Sequence, residues 1–190
     1  MHSRAFNTSV LILASLFFVQ CARPLVVGDA DKALLLQASE LVPYGYGFQR
    51  IPQHETFKKS RDFDGTVEVE YEFETPDSEK EHPLYLTVVV TVSRRKSDAR
   101  VEQGAEKLGL VAGLKLKGIT QEEKVGFYKY GESSSFYILK KDGSAVGNYF
   151  TVREGTKTYT ILLAGMYIDD PEVWKDLVEP KLKAFSTYKP

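Results

Sequence analysis

The chain has 190 residues, with 25 lysine and arginine against 26 aspartate and glutamate, 43% hydrophobic and 12% aromatic side chains, the makeup of one soluble domain behind a leader. A net charge of -1 supplies no cationic footprint for a sequence-independent nucleic-acid binder, and the composition excludes a disordered or fibrous chain. One cysteine rules out an internal disulfide and a four-thiolate zinc site, and histidines at 2, 54 and 82 lack metal-ligand spacing, so neither metal nor cofactor is expected.

The amino-terminal segment opens with His2 and Arg4 and continues into Val10-Leu-Ile-Leu-Ala-Ser-Leu-Phe-Phe-Val19. An apolar run of this length is a secretory h-region and too short to span a bilayer. Residues 1–22 are therefore expected to be a signal peptide. Cys21 resembles the lipidation site of bacterial lipoproteins, where the thiol accepts a diacylglyceryl group, although Phe18-Val19-Gln20-Cys21 carries glutamine where that pattern usually has Gly, Ala or Ser. Cleavage after Cys21, with Val19 and Cys21 as the small residues of the site, would instead release a secreted protein. Both routes place the protein outside the cytoplasm, either lipid-anchored in the cell envelope or secreted.

Residues 23–43 are expected to form an amino-terminal helical segment. Ala33, Leu34, Leu35, Ala38 and Leu41 have the spacing of a short amphipathic helix that docks on the core and ends by Pro43. Residues 44–190 then make a single α+β domain. From Phe63 to Thr75 strict alternation puts Val67, Val69, Tyr71 and Phe73 on one side and Glu68, Glu70, Glu72 and Glu74 on the other, a half-buried strand. Residues 76–83 are a polar turn, and Leu84 to Val92 is a second strand, antiparallel to the first. Ser97 or Asp98 can cap a helix running through Leu110 with Val101, Ala105 and Leu108 on its buried stripe; Gly104, Gly109 and Gly113 leave its end undefined.

The second half is expected to be a meander of strands at Val125–Tyr130, Ser135–Lys140, Ala145–Arg153 and Thr156–Ala164. Gly131-Glu132, Asp142-Gly143 and Glu154-Gly155 are the turns, of which Asp-Gly is the strongest hairpin signal. Asp169-Asp170-Pro171-Glu172 starts a last helix that buries Val173, Trp174, Leu177, Val178, Leu182 and Phe185. The order of elements gives an α+β fold: a curved antiparallel sheet with helices packed on it, the carboxy-terminal helix against the sheet.

Lys157-Thr-Tyr-Thr-Ile-Leu-Leu-Ala164, then Trp174-Lys175 and Leu182-Lys-Ala-Phe185-Ser186, resembles the end of PsbP-like domains. There a strand of the form xxYxLxxxA precedes a helix that runs from a tryptophan to a terminal Ser-Phe or Phe-Ser pair. The likeness covers residues 45 to 186. It implies a non-catalytic accessory, assembly or binding protein of an exported compartment, the DcrB-like lipoproteins among them.

Candidate contact residues are the aromatics. Tyr44-Gly-Tyr46-Gly-Phe48 has the makeup of a sticky lip for a sugar, peptide or protein, and equally of an edge strand with its rings packed inward. Tyr128 and Tyr130 would form an aromatic patch if both face outward. The glutamate row is expected to be a solvated face, and Asp62-Phe-Asp64-Gly65 a turn rather than a calcium loop. No nucleophile elbow, zinc helix, Walker loop or dinucleotide fingerprint is present, so no catalytic residue is expected. The expected partner is a protein or small ligand, with membrane contact only through a lipid on Cys21. The alternative is a secreted hydrolase-type enzyme using His54 or His82 with nearby carboxylates.

Overall fold

The computed structural model describes residues 22–44, 54–75 and 84–190. The expected leader with Cys21, and also Tyr46, Phe48 and His82, lie outside these residues. Among the described residues there are eight strands: β1 Arg23–Pro24, β2 Glu55–Arg61, β3 Val67–Glu74, β4 Tyr85–Val92, β5 Ile119–Glu123, β6 Ser133–Lys141, β7 Ser144–Glu154 and β8 Lys157–Ala164. Three α-helices accompany them, α1 Asp29–Leu34, α2 Lys96–Leu116 and α3 Pro171–Thr187, with a 3-10 segment at Ala38–Tyr44. The strands form one antiparallel sheet, not closed, in the order β1-β2-β3-β4-β8-β7-β6-β5. The fold is α+β with a carboxy-terminal helix, as the sequence predicts.

This order is two four-stranded meanders meeting at β4 and β8, and α2 is the connection between them. Leaving the end of β4, the chain must reach the far edge of the sheet to begin β5. Four strand spacings of about 4.8 Å and a strand length of about 26 Å make a diagonal of roughly 30 Å. A helix of 21 residues spans about 31 Å at 1.5 Å per residue. The length of α2, carried through three glycines, is the length the crossing requires.

Period-two alternation then divides the sheet. Val67, Val69, Tyr71 and Phe73 of β3 all face the core, and the residues opposite Val69, Tyr71 and Phe73 on β4 are Val90, Val88 and Leu86. Tyr159, Ile161 and Leu163 of β8 and Phe150 and Val152 of β7 continue this face. Onto it α3 brings Trp174, Leu177, Val178, Leu182 and Phe185. The indole meets Phe136 and Phe150 edge-on, with centroids 4.9 and 5.5 Å away, and Phe185 meets Tyr159 at 5.6 Å. Asp170 caps the helix, accepting hydrogen bonds from the backbone N–H of Glu172 at 2.8 Å and Val173 at 3.4 Å.

The amino-terminal segment belongs to the same core, but not as one helix. Leu34, Leu35 and Leu36 are all buried, and successive residues of an α-helix point about 100° apart, so three in a row cannot face one core. The chain leaves helical geometry at Leu35 and resumes as the 3-10 segment, in which Pro43 sits. The hydroxyl of Tyr159 donates to the Leu34 carbonyl at 3.0 Å, and that of Tyr71 accepts from the Ala38 N–H at 3.0 Å.

One further expectation is corrected, and one strand was not expected. Val125–Tyr130 is a loop, and the strand before β6 is β5, whose polar sequence Ile-Thr-Gln-Glu-Glu pairs only along β6 at the sheet edge. The aromatics after it serve the core without strand geometry, Phe127 stacking on Phe136 at 4.0 Å. The strand β2, which carries one large apolar residue, Phe57, had no signal in its alternation.

Asp31 fastens the start of α1 to two distant parts of the chain. Its carboxylate takes the Lys59 ammonium of β2 at 2.9 and 3.1 Å, the Tyr188 hydroxyl after α3, and the Gly28 N–H at 2.8 Å. Burial by itself raises the Asp31 pKa, but hydrogen bonds from Tyr188, Gly28 and Lys59 outweigh it and hold the group below the usual carboxylate range. Both partners of the ion pair are largely shielded from solvent, 13% exposed for Lys59 and 6% for Asp31, so removing one leaves a mostly buried charge unpaired. We predict that Asp31→Ala lowers stability by about 3–5 kcal/mol in urea denaturation. The stability that Asp31 contributes is present above its unfolded pKa and is lost as pH falls through the lower folded value. A loss below about 1 kcal/mol would show that the clasp is not structural.

Candidate functional site

The other face of the sheet is mostly polar. The same alternation that buries Tyr71 and Val88 places Glu68, Glu70 and Glu72 of β3, Thr87 and Thr91 of β4, Thr158 and Thr160 of β8, and Tyr149 and Thr151 of β7 on it, with Val89 and Leu162 as the apolar residues among them. Helix α2 lies across this face. Gln103 donates to the Thr151 hydroxyl at 3.2 Å, Thr160 donates to the Glu106 carboxylate at 2.9 Å, and Ser93 donates to Glu102 at 2.5 Å. Lys107 sits over the Tyr137 ring, 4.8 Å from its centroid. Apart from Ala99 at its start, α2 buries apolar side chains only towards its end, where Leu114, with Leu110 beside it, meets Tyr137, Leu139 and Tyr149.

The helix is thus turned the opposite way from the sequence expectation. Its fully buried residues are Ala99 and Leu114, while Val101, Leu108 and Leu116 are 70%, 73% and 85% exposed and Ala105 also faces solvent. The reason is the sheet. A face of hydroxyls and carboxylates is matched by Gln103, Glu102 and Glu106, and a helix that presents these inward must carry Val101, Ala105 and Leu108 outward.

The inner contact is imperfectly satisfied. Among the described residues the hydroxyls of Thr91, Tyr137 and Tyr149 are buried without a hydrogen-bond partner. Burial pushes the Glu106 pKa up to about 7, with Glu102 adding to the rise and the Thr160 hydrogen bond opposing it. Glu68, directly across from Thr91, is also raised to about 7, by the surrounding protein and then by Glu70, Glu106, Asp62 and Glu102. Glu68 keeps an open side to solvent, which weakens its shift, so Glu106 dominates the response.

The aromatic candidates lie elsewhere. Tyr44, Tyr128 and Tyr130 are half-buried against the main core. Tyr128 is 5.9 Å from the Phe150 ring, and the Tyr130 hydroxyl donates to the Leu182 carbonyl at 3.0 Å and bonds Ser186 at 2.8 Å. Tyr130 thus holds the end of α3 and Tyr128 packs on β7, and the two do not form an outward aromatic pair. A shallow hollow of about 290 Å³ is bordered by Tyr130, Gly131 and Glu132, but Glu132 is occupied by Lys96 and Arg153. His54 is half-buried at the start of β2. Asp62 to Thr66 closes the β2–β3 hairpin, with Asp64 accepting from the Thr66 N–H at 2.8 Å, and no group of three histidine, cysteine or carboxylate residues among the described residues could hold a metal ion.

Comparison of the chain with protein-family models, curated proteins and solved structures gave no match.

Because the folded-state pKa of Glu106 lies above the ordinary value of 4.5, the folded protein holds that proton more tightly, and stability declines as pH rises from about 4.5 to 7. We expect Glu106→Gln to stabilise the protein at pH 8 by on the order of 1 kcal/mol and to leave it unchanged near pH 5. Urea denaturation at the two pH values measures this. Equal effects at both would mean that Glu106 is not buried under α2.

Proposed function

We propose that this is a non-catalytic, exported accessory protein that works through a contact surface, and that the surface is the outer face of α2. The observation that carries the reading is the orientation of that helix: α3 buries its large apolar residues, whereas α2 presents Val101, Leu108 and Leu116 to solvent. Exposed apolar area of this kind, concentrated along one element, marks an interaction site. The PsbP-like pattern of residues 157–186, with helices packed on a curved sheet, agrees with such a role. The apolar run Val10–Val19 followed by Cys21 supports export, with the domain anchored by lipid at Cys21 or secreted. No helix among the described residues is long and apolar enough to cross a membrane, so attachment through this region would be peripheral.

A photo-crosslinking residue placed at position 108 of the full chain, in the cells that make it, tests this reading. The expected result is an adduct with a lipid or a protein that is not formed from position 142, in the exposed Asp142-Gly143 turn. No adduct specific to position 108, together with turnover of a small substrate by the purified chain, would overturn it.

A further inference from the structure

We propose that the partner of the α2 face is an anionic lipid surface, along which the helix lies as a peripheral contact; this rests on the reading of α2 as the contact surface. Two observations select that partner. The first is the sorting of charge around the helix. Its carboxylates Glu102 and Glu106 are turned inward and bonded to Ser93 and Thr160, Asp98 is its remaining acid, and residues 94–117 carry seven lysines and arginines against these three acids. Arg94, Arg95, Arg100 and Lys115 are exposed, and no ion pair or side-chain hydrogen bond engages them among the described residues. Apolar side chains flanked by unpaired arginine and lysine are the pattern of a helix lying in the interfacial plane of an anionic membrane.

The second observation excludes a second copy of the chain as the occupant. The cations stand at both ends of the ridge, Arg94, Arg95 and Arg100 at the start and Lys115 near the end. An antiparallel pair of α2 helices would set Arg100 of one against Lys115 of the other, and a parallel pair would set each cation against its own copy. Either arrangement places like charges together. A negative surface removes that repulsion and covers Val101, Leu108 and Leu116 at the same time. At the start of the ridge the β2–β3 turn comes against Arg94, a Cβ on Gly65 lying 3.2 Å from the arginine side chain. That turn carries Phe63, 84% exposed, as a further apolar anchor. Asp62 and Asp64 of that turn and Asp98 in the first turn of α2 are the opposing charges, and the four cations outnumber them.

The test is co-sedimentation of the full chain with vesicles of phosphatidylcholine alone and of phosphatidylcholine with phosphatidylglycerol in equal parts, using wild type, Leu108→Asp and Arg100→Glu. Both substitutions lie on exposed positions, and circular dichroism verifies folding. The leader is common to all three proteins, so the difference between them isolates α2. The expected result is binding that favours the anionic vesicles, weakens as salt rises, and falls about five-fold or more in either variant, the loss expected for one cation at such a surface. Equal binding by the three proteins, or no preference for anionic vesicles, overturns the proposal. If binding is equal while crosslinking from position 108 still yields a discrete protein adduct, the surface reading stands and the lipid assignment fails. A dimer in sedimentation equilibrium that Leu108→Asp abolishes also overturns the lipid assignment.

Discussion

The two faces of the sheet are unlike, and the rest of the molecule follows from that. Alternation along β3, β4, β7 and β8 sends Val, Leu, Tyr, Phe and Ile to one side and mostly Glu, Thr and Tyr, with Val89 and Leu162, to the other. The apolar side attracts α1, the 3-10 segment and α3, which together fill it around Trp174. The polar side must still be crossed, because the second meander begins at the far edge. The element that crosses it can bury only what hydroxyls and carboxylates accept, so α2 puts Gln103 and Glu106 beneath and its apolar residues above. The exposed ridge is a consequence of topology and pattern acting together.

The energetics of the two layers differ accordingly. Against the apolar face, the burial of Trp174, Leu177 and Phe185 contributes on the order of 1.5–3 kcal/mol for each side chain. Beneath α2 the gains are hydrogen bonds of modest net value, offset by hydroxyls without partners and by a carboxylate removed from water. Gly104, Gly109 and Gly113, each with nothing within 4 Å of a Cβ position, lower the intrinsic stability of the helix further. A contact that covers the outer ridge would supply the apolar burial that the inner side lacks. The proposed contact surface and the weakest inner packing thus meet in one element.

Much of the framework was legible in the sequence. The pairing of β3 with β4 follows from their alternation, the Asp142-Gly143 hairpin from its need for positive φ, which both residues adopt at 51° and 82°, and α3 from Asp170-Pro171 and its apolar period. What escaped were elements whose fate depends on a neighbour. Leu34 to Leu36 read as helix because their burial on more than one side is a tertiary fact. Edge strand β5 has almost no apolar signal, and β2 only Phe57. The α2 stripe was assigned to the wrong side because periodicity shows that a helix has an apolar face and does not show what lies under it. The row of glutamates on β3, taken as solvated, and the Glu102, Gln103 and Glu106 row of α2 were the available clues, since two polar faces of such composition fit each other. Of the aromatic candidates, Tyr44, Tyr128 and Tyr130 are packed on the core, which tyrosine does as readily as it binds partners.

The orientation of α2 is the claim on which the functional reading stands, and thiol accessibility measures it directly. With Cys21 replaced by serine, Leu108→Cys and Leu114→Cys are each treated with a thiol reagent under native conditions. The account predicts that Leu108→Cys reacts at close to the rate of an unfolded peptide, while Leu114→Cys is protected by orders of magnitude until the protein is unfolded. Protection at 108 with free reaction at 114 would place the apolar ridge against the sheet and contradict the account.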